Sequence, residues 1–366
     1  MSPFLYQAAA MRVVFGAGSL QHLPREIEAL GARRALVLST PEQLPAAERI
    51  AALIGVRAAG VFAKAVMHVP IETAREARAQ AQRLGADCAI AVGGGSTTGL
   101  GKAIALDSAL PILAIPTTYA GSEMTPIYGL TEGGVKRTGR DPRVLPKCVI
   151  YDPELTLSLP LALTVTSAIN AIAHAAEGLY AADGNPIIAL MAEEGIRALA
   201  LALRVLRTAP ADLGARADAL YGAWLCGTVL GAVAMGLHHK LCHTLGGTFN
   251  LPHAEVHAVI LPHALAYNAG AAPEAMRRIA RALGGDPFAD APGALFELAR
   301  ALGAPSALRD IGMPADGLDR AADLAVASPY PNPCPLERGA IRALLQRAFD
   351  GGRPPGTNNN DPRRPA

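Results

Sequence analysis

Up to Pro160 the chain repeats one pattern, a short continuous apolar run followed by an Ala- and Arg-rich stretch with helical spacing. The runs ARRALVLST (Ala32 to Thr40), GVFAKAVMHVP (Gly60 to Pro70), DCAIAVGGGS (Asp87 to Ser96) and LPILAIPTT (Leu110 to Thr118) read as strands. Glu72 to Leu84 and Gly99 to Asp107 read as helices between them. Strands that are apolar without alternation are buried on both faces, and intervening helices return the chain to the same edge. The pattern therefore predicts a doubly wound, Rossmann-like, mostly parallel sheet. After CVIYDPELTLSLP (Cys148 to Pro160) the chain becomes Ala- and Leu-rich with helical spacing: Thr166 to Tyr180, Asn185 to Ala209, Ala215 to Leu245, Pro273 to Leu283, Pro292 to Leu302 and Gly339 to Phe349. The expected fold class is α/β plus all-α. A Rossmann-like domain spans residues 1–157 and an all-helical domain 158–350, with the active site in the cleft between them. Residues 351–366, rich in Gly, Pro and Asn, are expected to be a disordered tail.

A chain of 366 residues, 51% apolar and 17% charged, can bury two cores of this kind. With a net charge of +2 and no long basic run, a nucleic-acid surface is not expected, and any anionic partner should be small. The five cysteines are scattered without CxxC pairing, which fits a reducing compartment. Neither a signal-peptide pattern nor a charge-free membrane span is visible, so a soluble cytoplasmic protein with no membrane partner is expected.

Two strand ends carry chemistry. In AVGGGSTTGLGKAIAL, Gly93, Gly94 and Gly95 follow a buried strand and open a helix, so backbone N–H groups there can approach a diphosphate closely. The bland alternative is a tight strand-to-helix turn, and the motif is neither GxGxxG nor a Walker A loop. Ser96, Thr97, Thr98 and Lys102 add hydroxyls and a cation, which favours ligand binding; Gly94, Gly95 and Ser96 are the expected diphosphate contacts. In PTTYAGSEMTPIYGLTEGGVKRTGRDPRVLPK, Thr117, Thr118 and Ser122 offer hydroxyls at the carboxyl edge of the sheet, where doubly wound folds bind ligands. The following hairpin carries Lys136, Arg137, Arg140, Arg143 and Lys147, most of which should be solvated decoration, with one or two facing an anion.

The stretch Gly236 to His263, GLHHKLCHTLGGTFNLPHAEVHAVILPH, holds six of the nine histidines. His239 and His243 share one helical face, and Gly246, Gly247 and Pro252 are expected to end or bend that helix so that His253 returns towards them. His174 lies four residues after Asn170 on another helix. His22, His68, His238, His257 and His263 are read as structural, whereas His174, His239, His243 and His253 form a constellation with few structural reasons to exist. Three imidazoles plus a carboxylate would suit a divalent transition ion, but Asn170 is a neutral and poorer ligand, so metal ligation stays open.

These residues resemble the iron-containing alcohol dehydrogenase family, whose architecture is shared with glycerol dehydrogenase and dehydroquinate synthase. The resemblance runs from RVVFGAGSL (Arg12 to Leu20) to the end of the helical half. The family's GGGS followed by Lys is matched by Gly93 to Ser96 with Lys102, and its PTT…GSE by Pro116 to Glu123. Its Asp-x-x-x-His, His-x-x-x-His and PH elements are matched by Asn170 and His174, His239 and His243, and Pro252 with His253. The cues TGRDPRVLPK, HHKLCHTLGG and the Asn in place of Asp point, within the family, to members that reduce the carbon–carbon double bond of a dianionic keto acid during degradation of aromatic compounds.

The resemblance implies NADH or NADPH as cofactor. The acid that often reads the ribose 2′-hydroxyl falls near Ser39 and Thr40, so repulsion of a 2′-phosphate is lost. Ser39, Thr117, Thr118, Ser122 and Lys136 join Gly94, Gly95 and Ser96 as expected cofactor contacts. In metal-dependent members the ligands are the Asp and the histidines matching His174, His239 and His253. With Asn170 present, a divalent metal is expected not to be required. The implied roles are proton donation by His243 or His253, and orientation and charge stabilisation by His174, His239 and Lys240. Lys240 is the first candidate for the second carboxylate, with Arg137 or Arg140 behind it and Asn170 also at the substrate. The expected assembly is a homodimer. The competing expectations are a metal-dependent alcohol or polyol dehydrogenase of the same family, and a dehydroquinate-synthase-like lyase that recycles bound NAD.

Overall fold

The computed structural model describes residues 4–133, 135–287 and 289–356. The chain divides into two compact units, Gln7–Leu159 and Pro160 onward, the latter joined by the first residues up to Tyr6. In the first unit, β1 (Arg12–Phe15), β2 (Ala35–Leu38), β3 (Ala58–Phe62), β4 (Cys88–Gly93), β5 (Ile112–Pro116) and β8 (Cys148–Tyr151) form one parallel sheet in the order β1-β8-β5-β4-β2-β3. The hairpin β6 (Ile127–Glu132) and β7 (Val135–Arg140) is a separate antiparallel pair. Every residue of β4 is buried, as its unbroken apolar run requires. Its Ile90 and Val92 pack on the side of α1 (Leu23–Ala29) and α2 (Leu44–Ile54), and Ala89 on the side of α3 (Ile71–Arg83) and α4 (Gly95–Ser108).

The strand order reverses between β2 and β4, because β3 is laid down on one side and β5 and β8 on the other. In open α/β sheets such a switch point leaves a crevice at the strand carboxyl ends. Two expectations need correction here. The run from Gly60 to Pro70 is a strand only as far as Phe62, since its partner β2 ends at Leu38; the chain then turns, with His68 and Val69 at φ of 65° and 45°. The edge strand β1 lies outside the four runs quoted for the first half.

The second unit is helical: α5 (Leu161–Gly178), α6 (Pro186–Leu206), α7 (Leu213–Ala232), α8 (Leu237–Phe249), α9 (His253–Asn268), α10 (Pro273–Ala282), α11 (Ala291–Ala301), α12 (Leu318–Val326) and α13 (Arg338–Asp350). From Thr164 on, α5 is buried throughout. The helix expected over Ala215 to Leu245 is two helices, α7 and α8, bent by 95° at Val233–Gly236. The break is built by distant acceptors: Asp183 takes the Ala234 N–H, and Glu177 takes those of Gly236 and His238. Helix α8 runs through Gly246 and Gly247 and stops where Asn250 adopts a left-handed conformation. Pro252 then opens α9, for which the spacing gave no sign, because it is buried on nearly all sides and contains Pro262.

The tail expectation is corrected in its first residues. Gly351 closes α13, and Arg353 pairs with Asp290 at 2.8 Å and lies near Glu297. Residues 357–366, the remainder of that expectation, lie outside the described residues. No single helix among the described residues is long and apolar enough to cross a membrane.

Candidate active site

At the switch point of the sheet, β4 ends in Gly93, whose φ of +143° and lack of Cβ let the chain turn against Gln43 and Thr97. An added Cβ on Gly94 would stand 2.9 Å from Thr118 Cγ2, so the helix α4 starts in close contact with the loop after β5. Gly95 is exposed, while Gly94 and Ser96 are half-buried, leaving the first turn of α4 open to a ligand. Thr117 is buried: its N–H bonds Gly93 O at 3.0 Å, and its Oγ1 accepts from Gln43 Nε2 at 2.7 Å. Thr118 is half-buried. Ser39, at the end of β2, is fully buried with its Oγ lacking a partner. These groups gather at the carboxyl ends of β2, β4 and β5. Gln43 was not singled out from the sequence; the only signal was a polar side chain just after a strand end.

Lys102 is not a ligand cation, and this corrects the expectation. It is buried in α4 and its Nζ donates to Ser122 O at 2.6 Å, Ile127 O at 2.7 Å and Thr125 Oγ1 at 2.9 Å. Burial pulls it down to about 7, against the opposing pull of the Glu123 carboxylate. Its work is to fasten the loop after β5 to α4, which also commits the backbone of Ser122. Arg137 and Arg140 stand exposed on the hairpin. The side chain of Lys136 lies outside the described residues.

In the helical unit α5 presents Asn170, His174 and Glu177 on one face, four and three residues apart. Glu177 is fully buried and is the organising group. Its carboxylate accepts from Gly236 N at 3.0 Å, His238 N at 2.9 Å and His239 N at 3.3 Å, the open amides at the start of α8. It also accepts from His239 Nδ1 at 2.6 Å. A carboxylate only accepts, so Nδ1 carries the proton, and in the neutral ring Nε2 of His239 is left as an acceptor. That nitrogen faces His174 Nδ1 at 2.8 Å, which must then donate. One buried carboxylate thereby sets the tautomers of two imidazoles in series.

Four more rings continue the cluster. His238 Nε2 and His257 Nδ1 are 2.9 Å apart, both rings fully buried, and desolvation drives both well below the usual histidine range, so they are neutral. His257 lies 5.2 Å from His239 and 4.4 Å from His253 between ring centroids. His253 and His243 stack at 6.5 Å with planes 16° apart. The cluster grades outward: His174 and His239 are buried, His253 is half-buried and His243 is exposed. Lys240 is half-buried with its ammonium 5.9 Å from the centre of the Tyr330 ring. Asn170 is buried, and its Oδ1 has no hydrogen-bond partner.

The structure thus brings together Asn170, His174, His239, His243 and His253, and adds Glu177, His238 and His257, which sequence reasoning had left out. Arg137 and the glycine loop belong to the other unit. Among the described residues, ligand-type atoms within 4.8 Å of one another are those of His238, Cys242 and His257, not those of His174, His239 and His253. Burial pushes the Cys242 thiol well up, away from the thiolate form.

Residues 10–153 match the family described as iron-containing alcohol dehydrogenase, and residues 164–349 the C-terminal part of the same family. The chain is 70% identical to a maleylacetate reductase of Burkholderia cepacia over 354 residues, covering 97% of this chain and all of that one. A crystal structure of maleylacetate reductase from Agrobacterium tumefaciens is 58% identical with a TM-score of 0.92, covering 97% of this chain and 100% of its own. A structure from Ralstonia eutropha JMP134, described as a putative alcohol dehydrogenase, is 67% identical with a TM-score of 0.95 over the same shares.

Proposed function

The chain belongs to the iron-containing alcohol dehydrogenase family, and from that premise we propose that it reduces 2-maleylacetate to 3-oxoadipate with NADH or NADPH. It is a nicotinamide-dependent oxidoreductase acting on a carbon–carbon double bond. Relatives named for this reaction at 56–70% identity over almost the whole chain support the substrate. The geometric observation that carries the reading is the Asn170 Oδ1, buried without a hydrogen-bond partner one turn before His174, whose ring bonds that of His239.

The substrate is a dianionic enone. Hydride from nicotinamide C4 adds to the alkene carbon beside the carboxylate, the double-bond electrons move to the ketone oxygen as an enolate, and one proton then reaches the neighbouring carbon. One NAD(P)H and one proton are consumed per product. The enolate is the charge to be stabilised, and imidazole N–H groups with the Lys240 ammonium can do this without a Lewis acid. His243 or His253 supplies the proton. His239, with both nitrogens engaged, orients the His174 ring in the tautomer that Glu177 selects.

The family suggests a divalent ion, but these donors suit one poorly. Asn170 brings an amide where a carboxylate would neutralise charge, and His174 and His239 spend facing nitrogens on each other. No step is assigned to a metal. The test is NADH and NADPH oxidation with 2-maleylacetate, followed by absorbance, with and without chelator. Equal rates in both arms are expected. No oxidation with either cofactor sinks the assignment, and loss on chelation that a divalent ion restores sinks the metal-free reading.

The glycine loop gives a second prediction. A Cβ on Gly95 would meet only Ala120 Cβ, at 3.9 Å, so Gly95→Ala is tolerated by the fold and improves helix propensity. If the cofactor diphosphate rests on this turn, the methyl stands in its way. Thermal stability should hold or rise while NADH binding, read by fluorescence titration, weakens about tenfold or more. Unchanged affinity would remove the loop from the cofactor site.

A further inference from the structure

The segment SPYPNPCP, residues 328–335, carries proline at every second position and forms no helix or strand. Proline contributes no N–H, so such a strap must be held by side chains. Asn332 is the fastening. Its Oδ1 accepts from Leu237 N at 3.2 Å and from Asn268 Nδ2 at 3.0 Å, and its Nδ2 donates to Asn268 Oδ1 at 2.8 Å and to Cys334 O at 2.7 Å. The Tyr267 hydroxyl adds a bond to Pro335 O at 2.6 Å. The strap lies so close to the start of α8 that a Cβ on Gly236 would stand 3.1 Å from Asn332 Oδ1 and 3.3 Å from Pro331 O.

What this fastening positions is Tyr330. Its ring lies 5.9 Å from Lys240 Nζ, and its Oη is buried without a hydrogen-bond partner. Burial, and next the Glu177 carboxylate, push the phenol up, so it keeps its proton. An ammonium and a phenolic O–H are both donors, and an unpaired buried donor costs stability. A fold that fixes one there with a locked strap has a reason other than packing. Lys240 also lies three residues before His243, on the same side of α8 and about 5 Å along its axis. In the substrate the carbon that takes the proton is three bonds from the far carboxylate carbon, roughly 4 Å.

We propose that Tyr330 Oη and Lys240 Nζ together hold the carboxylate of the substrate remote from its double bond, making Tyr330 a specificity-determining residue of the site. The inference rests on the reading of the substrate as a dianionic keto acid. A carboxylate accepts from both groups, and each bond is charge-assisted. It leaves Glu177 undisturbed, since that carboxylate is already engaged by the amides of α8 and by His239.

Tyr330→Phe removes one oxygen. The expected result is a rise of about tenfold or more in KM for 2-maleylacetate and in the dissociation constant of 3-oxoadipate measured by calorimetry, with the loss falling on KM rather than kcat. The melting temperature should stay level or rise, because the hydroxyl has no partner to lose. In a Lys240→Gln background the same change should add much less, since both residues serve one carboxylate. Unchanged KM and 3-oxoadipate affinity, or fully additive losses in the double variant, overturn the proposal. Calorimetry separates the two failures: wild-type protein that binds 3-oxoadipate through Tyr330 but does not oxidise NADH with 2-maleylacetate loses the activity and keeps the subsite. Full activity with a silent Tyr330→Phe does the reverse.

Discussion

Glu177→Gln is expected to lower kcat about a hundredfold or more and to destabilise the protein by about 3–5 kcal/mol, although only one oxygen is exchanged for an NH2 group. Both carboxylate oxygens accept from N–H donors that have no alternative: one from His238 N, with the Tyr180 hydroxyl also on it at 3.4 Å, the other from Gly236 N, His239 N and His239 Nδ1. Whichever way the amide is turned, its NH2 confronts an N–H group at close range inside a buried site. If the amide oxygen faces His239, the start of α8 loses a partner. If it faces His238, the His239 ring must flip or change tautomer, and His174 loses the acceptor for its Nδ1 proton. The structural and chemical losses therefore come together. Scanning calorimetry should show a melting temperature lower by roughly 6–20 °C. Normal kcat with an unshifted transition would show that the carboxylate neither caps α8 nor sets the tautomers.

That residue also shows where the sequence stops being legible. The α/β half could be read because β2, β4 and β5 are continuous apolar runs, and each ends in residues whose smallness or hydroxyls have a use at a sheet edge. The histidines could be read because their spacing on α5 and α8 is local. Glu177 is a single acid within HAAEGLY, and the signal that marks it is its position three residues after His174, on the same face. The break between α7 and α8 left no mark, because LGAVAMG suits a buried helix and the chain is bent by acceptors some fifty residues away. Lys102 misled for the opposite reason. Next to a glycine loop a lysine reads as a ligand for phosphate, and only the placement of Ser122, Thr125 and Ile127 shows that its donors are already spent. His238 and His257 were set aside as structural; the structure buries them against His239 and His253 rather than apart from the constellation.

The gradient of exposure across those rings decides between the two candidate acids. A group that gives up one proton per turnover must recover one from water each time. His238 and His257 are buried and held neutral by desolvation, and His174 and His239 are buried and joined to Glu177 in series. His253 is half-buried between His257 and His243, and His243 is the exposed member, on the side of α8 that carries Lys240. His243→Ala is therefore expected to lower kcat about 10²–10⁴-fold while leaving NADH affinity and the melting temperature near their wild-type values. His253→Ala should cost less, because it removes the ring stacked on the donor rather than the donor. Added imidazole should restore part of the turnover of His243→Ala, since small bases can enter an exposed gap, and should do nothing for Glu177→Gln, whose defect is buried. Full turnover in His243→Ala, or imidazole rescue confined to His253→Ala, would move the proton donor to His253.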